Sequence, residues 1–448
     1  MAPDNPLHSQ PSDHSVPVCY PHNDPYTRPA REYKVIKFRP LPESGFQKFG
    51  DWIVHETWDD LGPCSASAQA INFENILKSN LESCFPLKTK KLSSHDKPFI
   101  TSELKDIDRK RNREYKRNGK SEKYFHLKEK FELKYKAASK RYLAKSLESL
   151  QTSKPGRAYT VLKNLGAQPG DCTDSSSFSL TSHEQENLSP QQCAERIAAH
   201  FSLISQEFPP LNTASLSKKV KNKLDSAGNP PLLTDYDVYM KIKSAKKPKS
   251  GTPSDIPREL IQEFSPEIAT PLAKIYNQMF SSGEWPNHWK LEHVVPIGKV
   301  TCPQTEDDLR PISLTPFFSK VAEHFVVGWL LNYVGDKIDH RQYGGLKGNG
   351  TTHYLIEFLN FILQHLDDNN QIAVLACFVD FQKAFNRQDH NLLIEKLSDL
   401  DVPGWLLRIV VAFLSNRSMV VNYKGCQSSV KPLPGGGPRA RFWLCSCF

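Results

Sequence analysis

The segment AVLACFVDFQKAFN, residues 373–386, is the part of the sequence that says most about the fold. Ala373 to Val379 is an apolar run of strand length without a glycine or a proline, and it ends on Asp380. A carboxylate at the end of a buried strand is costly unless it is paired or binds a metal. The pattern therefore predicts a buried strand and leaves two interpretations for Asp380, a helix N-cap or a ligand of a cation.

The residues that follow this segment predict helices and a hairpin. RQDHNLLIEKLSDL (387–400) and VPGWLLRIVVAFLSNR (402–417) have the period of two amphipathic helices. MVVNYKGCQSSVKPL (419–433) predicts a hairpin that turns at Lys424 and Gly425. These patterns are typical of an α+β domain with one acidic centre on a strand.

The positive charge of the chain is concentrated in one stretch. The 448 residues carry a net charge of +9, and residues 103–145 contain 16 Lys and Arg against 7 Asp and Glu, which gives +9 for this stretch alone. Lys and Arg neutralise phosphates, and the aromatic residues interleaved with them can stack on bases. A solvated helical pair and a nucleic-acid-binding surface both stay open. The residues expected to bind nucleic acid are Lys105, Arg109, Arg111, Arg113 and Lys116.

Several classes of protein are not expected. The ten cysteines include no Cys-x-x-Cys pair, which argues against a zinc site or a disulfide framework and suits a reducing compartment. The N-terminal sequence lacks the basic and apolar regions of a signal peptide, and the apolar runs are too short to cross a bilayer. We therefore expect an intracellular protein without a membrane partner, nuclear if it is functional. The sequence indicates no stable protein partner.

Residues 235–438 resemble the reverse transcriptase of non-LTR (LINE-type) retrotransposons. The basic helical stretch 97–165 also resembles the region that these elements place between endonuclease and polymerase. Six segments follow the family's finger and palm motifs in order, and they are SGTPSDIPRELIQEF (250–264), IATPLAKIYNQMFSSGEWPNHWKLEHVVPIGK (268–299), DDLRPISLTPFFSKVAEHFV (307–326), QYGGLKGNGTTHYLIEFL (342–359), FVDFQKAFNRQDHNLLIEKL (378–397) and LPGGGP (433–438).

The resemblance implies a fold and an activity. The fold is α+β, a partial right-hand polymerase with helical fingers and an incomplete antiparallel palm sheet, preceded by a basic helical region. The activity is that of an RNA-directed DNA polymerase, a nucleotidyltransferase that joins a primer 3′-hydroxyl to a nucleoside triphosphate with two divalent ions. The expected cofactor is Mg²⁺, and the expected partners are an RNA template and a DNA primer.

The same resemblance assigns roles at the nucleotide site. They are the catalytic and metal-binding Asp380, the metal-binding backbone carbonyl of Phe381, and the nucleotide-binding Phe385, Arg310 and Lys320. Phe385 would be the steric wall that excludes a ribose 2′-hydroxyl. Arg suits a bidentate phosphate contact and Lys a point charge. From the residues alone, an ion pair between Arg310 and Asp307 or Asp308 stays an alternative.

The chain also departs from the family. The family carries a Tyr-x-Asp-Asp hairpin beyond the glycine-rich loop, whereas Asp-Asp occurs here only at 59–60, 307–308 and 367–368. We therefore expect a C-terminally truncated fragment without the endonuclease and the second half of the palm, catalytically incompetent as it stands. A non-catalytic RNA- or DNA-binding remnant and a translated pseudogene fragment without function are the alternatives.

The expected domain organisation follows from these segments. The tail RARFWLCSCF is expected to be out of frame. The family continues after the glycine loop with Gln-Gly-Thr and apolar residues. Codons can be chosen for that continuation which, when they are read one base later, encode the tail. The expected regions are a disordered lead-in (1–50), the basic helical region (51–165), a flexible linker with one short helix (166–233), the reverse transcriptase fingers and partial palm (234–438) and the out-of-frame tail (439–448).

Overall fold

The structure is a computed structural model, and it describes residues 33–62, 64–93, 99–151, 188–226, 228–246, 256–300, 303–344, 348–367, 373–380, 383 and 386–437. The chain divides into two units, each held together by its own contacts. Unit 1 consists of Met1–Phe38 with Lys88–Ala167, and unit 2 consists of Arg39–Leu87 with Gln168–Phe448.

Helices and strands both occur, as the predicted α+β class requires. The α-helices in the described residues are α1 (Glu43–His55), α2 (Ala66–Cys84), α3 (Ser102–Asn118), α4 (Glu122–Gln151), α5 (Pro190–Ser205), α6 (Lys218–Asp225), α7 (Asp235–Ser244), α8 (Arg258–Glu263), α9 (Ser265–Ser282), α10 (Phe317–Val334), α11 (Thr351–Asp367), α12 (His390–Asp399) and α13 (Gly404–Leu414). The strands are β1 (Tyr33–Phe38), β2 (Lys88–Ser93), β3 (Leu291–Gly298), β4 (Leu309–Leu314), β5 (Ser418–Tyr423), β6 (Cys426–Gln427) and β7 (Lys431–Pro432).

Unit 1 contains a helical hairpin and a two-stranded sheet. The hydroxyl of Thr101 accepts a hydrogen bond from the N–H of Leu104 and so caps α3, and the helix ends at Gly119 with a positive φ of 64°. Leu104 is buried, and the guanidinium of Arg111 lies 5.1 Å from the ring centroid of Phe131 in α4. β1 and β2 pair in antiparallel fashion.

The helices of unit 2 pack around one apolar core. Phe49 of α1, Phe73 of α2, Tyr276 of α9 and Phe413 of α13 are all fully buried in it. Because α1 and α2 contribute to this core, the boundary between the two units divides the region that the sequence predicted as 51–165.

A half-buried acid, Glu74, fastens α2 to the segment that leads into β3. The indole N–H of Trp289 donates to Oε1 of Glu74 at 2.6 Å, and the ammonium of Lys78 lies 2.6 Å from Oε2. Burial alone would raise the pKa of Glu74, but hydrogen bonds from His288, Lys78 and Trp289 lower it to about 2. This fixed point aligns the first residues of β3 with the helical core.

The sheet of unit 2 has the order β4-β3-β5-β6, with β7 also paired to β5. β3 is antiparallel to β4 but parallel to β5, with Val294 opposite Val421. The sheet is therefore mixed, and the prediction of an antiparallel palm sheet was wrong. The parallel strands β3 and β5 are joined by a long connection that includes β4 and several helices. Parallel strands require a long crossover connection of this kind.

The two helices and the hairpin predicted after residue 386 are confirmed. Asp389 caps α12 by accepting hydrogen bonds from the N–H groups of Asn391 and Leu392. The hairpin turns at Lys424 and Gly425, which have φ values of 47° and 85°, as a two-residue hairpin turn requires.

The predicted strand over Ala373–Val379 is absent. Residues 373–380 carry no strand, and Leu375 is 97% exposed. The ring of Phe378 lies 5.8 Å from that of Phe358 in α11. A strand is stabilised by hydrogen bonds to a neighbouring strand, and none of the strands in the described ranges pairs with this segment. The prediction of a strand at this place was wrong, because apolar composition alone does not supply the neighbouring strand that it needs.

Two further expectations need correction. The disordered lead-in does not hold for residues 33–50, since β1 and the first part of α1 form there. The flexible linker does not hold for residues 188–226, because Ile197 and Phe201 of α5 are buried against Val294 and Val421 of the sheet. The predictions for residues 1–32, 152–187 and 439–448 lie outside the described residues.

No helix in the described ranges has both the length and the apolar character needed to cross a membrane.

Candidate functional site

Arg310 lies on β4, in the hairpin that β3 and β4 form. It stands opposite Ile297 in the register, and its side chain is exposed. Asp307 pairs with Lys383, and Asp308 accepts hydrogen bonds from the N–H groups of Gln304 and Thr305. The alternative ion pair of Arg310 with one of these aspartates is therefore not formed among the described residues. Arg310 is available to a ligand from solvent.

Asp380 ends the exposed segment 373–380, and its own side chain is exposed. Phe381 and Phe385, the expected second oxygen ligand and steric wall, lie outside the described residues. Lys383, between them, has a positive φ of 54°, which is a strained conformation for a lysine. The structure therefore describes Asp380 and Lys383, and the predicted metal ligand at Phe381 stays a prediction.

Lys383 joins the segment after Asp380 to the connection between β3 and β4. Its ammonium lies 2.7 Å from Oδ1 of Asp307, and Nε2 of His200 in α5 lies 3.4 Å from the same oxygen. The hydrogen bond from Lys383 lowers the pKa of Asp307, whereas burial lowers the pKa of His200. Oppositely charged groups therefore hold these two stretches of unit 2 together.

The glycine loop GGG, residues 435–437, packs against the start of α12. The N–H of Gly436 donates to the carbonyl of Gln388 at 2.9 Å, and Nε2 of His390 lies 2.5 Å from the carbonyl oxygen of Gly436. A Cβ at Gly435 would lie 2.9 Å from the carbonyl oxygen of Ser205. Backbone therefore approaches backbone too closely for any side chain here, which explains the glycine.

A buried ion pair lies beneath this loop. Nη2 of Arg417 is 2.7 Å from Oε1 of Glu292, and Nη1 of Arg417 donates to the carbonyl of Phe413 at 3.3 Å. The side chains of Arg417 and Glu292 are 1% and 5% exposed. Both line a cavity of about 30 Å³ that Asn386 and the glycine loop also line. This volume suits one or two water molecules and no nucleotide.

Two more ionisable groups are buried near Arg417. Burial raises the pKa of Glu323 in α10 to about 7, although Arg417 and a hydrogen bond from Ser319 oppose the shift. Burial, with repulsion from Arg417, lowers the pKa of Lys290 to about 8. The interior below the glycine loop is thus polar and crowded with charge, which makes it sensitive to the loss of either partner of the ion pair.

Lys320 lies in the first turns of α10 and is half-buried. Its charge acts on Glu323 one turn further along the helix, where it lowers the pKa of that carboxyl group against the larger effect of burial. The expectation that it contacts a triphosphate or template stays a prediction.

The five predicted nucleic-acid-binding residues lie on α3, but they do not share one face. Positions 105, 109, 113 and 116 follow the spacing of one helix face, opposite the buried Leu104 and Ile107. Arg109 is paired with Asp106 at 2.9 Å and stays exposed. Arg113 and Lys116 are exposed and make no ion pair with a described residue.

Arg111 lies on the opposite side of α3. It pairs with Asp108 at 2.5 Å, and its guanidinium rests 5.1 Å from the ring centroid of Phe131 in α4. Its contacts hold the two helices of the hairpin together. The structure therefore separates Arg111 from the basic stripe, the name used below for Lys105, Arg109, Arg113 and Lys116.

The described residues offer a limited set of metal ligands. No group of three or more His, Cys, Asp or Glu side chains that could hold a metal ion occurs among them. Asp380 provides one exposed carboxylate. One carboxylate suits a Mg²⁺ ion that keeps water and phosphate oxygens as its other ligands, but it does not make an all-protein metal site.

Sequence reasoning missed the residues that organise this region. Glu292 and Arg417 are 125 positions apart, and no local pattern links them. His390 looked like an ordinary first residue of an amphipathic helix, yet it is fully buried. The one usable signal was the triple glycine, which predicts a close backbone approach without naming its partner.

Comparison with known proteins gives three relatives of similar kind. The chain is 28% identical over 313 residues to the RNA-directed DNA polymerase from mobile element jockey of Drosophila melanogaster. This alignment covers 65% of the chain and 34% of the relative. It is 24% identical over 460 aligned residues to the RNA-directed DNA polymerase from mobile element jockey of Drosophila funebris, covering 97% of the chain and 48% of the relative.

The third relative is the probable RNA-directed DNA polymerase from transposon BS of Drosophila melanogaster. The identity is 26% over 206 residues, which covers 45% of the chain and 22% of the relative. No protein-family model matches the chain. The chain therefore spans about half or less of the length of these curated relatives.

Proposed function

We propose that this chain, which is related in sequence to the RNA-directed DNA polymerases of non-LTR retrotransposons, is such a polymerase by descent. In this proposal, residues 234–438 correspond to the fingers and part of the palm. One structural observation supports it. Three segments that resemble separate polymerase motifs, namely the β3–β4 hairpin, the residues after Asp380 and the glycine loop, converge in unit 2.

The contacts that join these segments are specific. Lys383 reaches Asp307 beside β4, while Gln388 and His390 hold Gly436 of the glycine loop. Lys383, Gln388 and His390 therefore connect the hairpin that carries Arg310 with the loop. A template-directed polymerase needs this kind of convergence, because the nucleotide must contact a phosphate clamp and a metal-binding carboxylate at once.

In the proposed site, the nucleoside triphosphate is held from two sides. Arg310 and Lys320 would bind its phosphates, and Phe385 would stand against its sugar. Asp380 and the carbonyl of Phe381 would hold a Mg²⁺ ion that arrives with the triphosphate, and this ion would neutralise phosphate charge. The exposure of Asp380 and Arg310 supports access from solvent.

Cleavage by Fe²⁺ in place of Mg²⁺ tests the role of Asp380. With a nucleoside triphosphate, ascorbate and peroxide, we expect hydroxyl radicals formed at the bound iron to cut the chain next to residue 380, as read by mass spectrometry. Asp380→Asn is expected to abolish this cut, because the amide does not replace an anionic ligand. Asp51→Asn, at an exposed carboxylate of α1, is the matched control and should leave the cut unchanged. A cut that persists in Asp380→Asn would argue against the proposed metal site.

The 448 residues alone are proposed to be catalytically incompetent. The two-metal mechanism needs carboxylates that hold both ions, and the sequence contains no Tyr-x-Asp-Asp motif to supply the second group. The polymerase chemistry is therefore assigned to descent and not to this chain on its own.

A second candidate function is nucleic-acid binding without chemistry. The basic stripe on α3 supports it, because four cationic side chains follow one helix face and three of them, Arg109, Arg113 and Lys116, are exposed. Such a stripe would contact a phosphate backbone without reading sequence. If neither binding nor metal-dependent cleavage were observed, a translated fragment without function would be the better description.

A further inference from the structure

His390 is fully buried beneath the glycine loop, at the first position of α12. Its Nε2 atom lies 2.5 Å from the carbonyl oxygen of Gly436. We propose that His390 is a positioning residue, a proton-sensitive latch that fastens the loop 435–437 while its imidazole is neutral and releases the loop when the imidazole takes up a proton. The proposal rests on the geometry of unit 2 and does not require polymerase activity.

The hydrogen bond fixes the tautomer of His390. A carbonyl oxygen only accepts hydrogen bonds, so Nε2 carries the proton in the closed loop. Nδ1 is then unprotonated, and it is buried without a hydrogen-bond partner among the described residues. A second proton would create a buried N–H donor that no described residue satisfies, together with a positive charge that burial disfavours.

The charges around His390 favour the neutral ring. Burial has the largest effect and lowers the pKa of His390, and Arg417 beside the cavity lowers it further. The hydrogen bond to Gly436, Asp389 at the cap of α12 and Glu292 of β3 act in the opposite direction. Arg417 and Glu292 are paired, and their effects on His390 oppose each other. Burial therefore decides the outcome, and the pKa of His390 lies below the ordinary value of histidine.

The loop has few other attachments at this point. The N–H of Gly436 donates to Gln388, and the N–H of Leu433 donates to the carbonyl of Arg417 at 2.9 Å. Glycines 435–437 carry no side chains that could anchor them. Loss of the His390 contact therefore removes the one side-chain hydrogen bond that a described residue makes to the Gly436 carbonyl.

The sign of the pH effect follows from the lowered pKa. In the open loop His390 meets water and has an ordinary pKa near 6.5, whereas in the closed loop its pKa is lower. The closed loop is thus fully favoured above pH 6.5. Its advantage is lost as the pH falls below that value towards the pKa of the closed state, by up to about tenfold in the opening equilibrium per pH unit.

Amide hydrogen exchange of the full chain tests the latch. Exchange is followed by mass spectrometry at pH 7.5 and 5.5, on a peptide that spans residues 433–437, and is corrected for intrinsic exchange rates. We expect the protection of this peptide to fall at the lower pH, by up to about tenfold. Peptides from β5 should keep their protection, because β5 does not depend on the latch.

Two variants separate the latch from general acid sensitivity. Gln at position 390 can donate to the Gly436 carbonyl but does not titrate, so His390→Gln should keep the loop protected at both pH values. His340→Gln, at a histidine whose side chain is 85% exposed, should respond to pH as the wild type does. If His390→Gln does not fold, the comparison of loop and β5 peptides in the wild type decides alone.

Three results would overturn the proposal. They are loop protection that does not change between the two pH values, an unchanged pH response in a folded His390→Gln variant, and equal losses in the loop and β5 peptides. Because none of these readouts involves nucleotide or metal, a failed latch is distinguishable from a failed polymerase assignment.

Discussion

Arg417→Met is expected to lower the free energy of unfolding of unit 2 by about 3–5 kcal/mol, because it leaves the carboxylate of Glu292 buried and unpaired. Both side chains are at most 5% exposed, so bulk solvent does not reach the carboxylate when the guanidinium is removed. The variant also loses the hydrogen bond to the Phe413 carbonyl. The methionine side chain fills much of the space of the arginine side chain. The loss of stability is therefore caused more by the missing charge than by a cavity.

Tryptophan fluorescence during urea unfolding reports on unit 2, since six of the seven tryptophans are described residues of that unit. Arg341→Met is the matched control. It removes an arginine paired with the exposed Asp339 and should leave the free energy of unfolding almost unchanged, because solvent screens exposed ion pairs. In the double variant Glu292→Leu and Arg417→Met, most of the stability should return, because neither partner of the ion pair is left buried and charged. A loss for Arg417→Met as small as that for Arg341→Met would contradict the buried pair.

Replacing all four residues of the basic stripe by glutamine should reduce the affinity for single-stranded RNA by at least about a hundredfold at roughly 0.1 M salt. The reason is counterion release, since each lost phosphate contact removes about 0.7 from the slope of log K against log salt for single strands. Four contacts correspond to a slope smaller by about 3. Fluorescence anisotropy with a labelled oligonucleotide over a range of salt concentrations measures both quantities.

Arg111→Gln provides the control within the same helix. Its guanidinium rests on Phe131 and pairs with Asp108, so the variant should bind RNA almost as the wild type does. Circular dichroism would verify that the helical hairpin persists in both variants. Equal losses for Arg111→Gln and the fourfold variant would show that the exposed face of α3 is not the binding surface.

The sequence predicted the helices and turns that depend on residues close together in the chain. The periods of residues 387–417 predicted α12 and α13, and Lys424 with Gly425 predicted a hairpin turn, because period and turn chemistry depend on neighbours in the chain. The α+β class and the relationship to retrotransposon polymerases were also accessible from the sequence.

Other features depend on contacts that are distant in the sequence. The apolar run 373–379 has the composition of a strand, but strand formation needs a partner that composition does not reveal. The helix Pro190–Ser205 looked like part of a linker because Ser-, Pro- and Asn-rich segments surround it, yet its apolar face is buried on the sheet. The pair of Glu292 with Arg417 and the latch at His390 arise only when β3, α12 and the glycine loop meet. The metal ligand predicted at Phe381 and the steric wall predicted at Phe385 stay predictions.

The central claim is that this chain descends from a polymerase but does not itself catalyse DNA synthesis. Primer extension by the purified 448-residue chain tests this claim most directly. The reaction contains a DNA primer annealed to an RNA template, nucleoside triphosphates and Mg²⁺, and tryptophan fluorescence confirms that unit 2 is folded. We predict that the primer is not extended, in the wild type as in Asp380→Asn. Template-length DNA made by the wild type and lost in Asp380→Asn would contradict the proposed incompetence and would identify a complete active site in this chain.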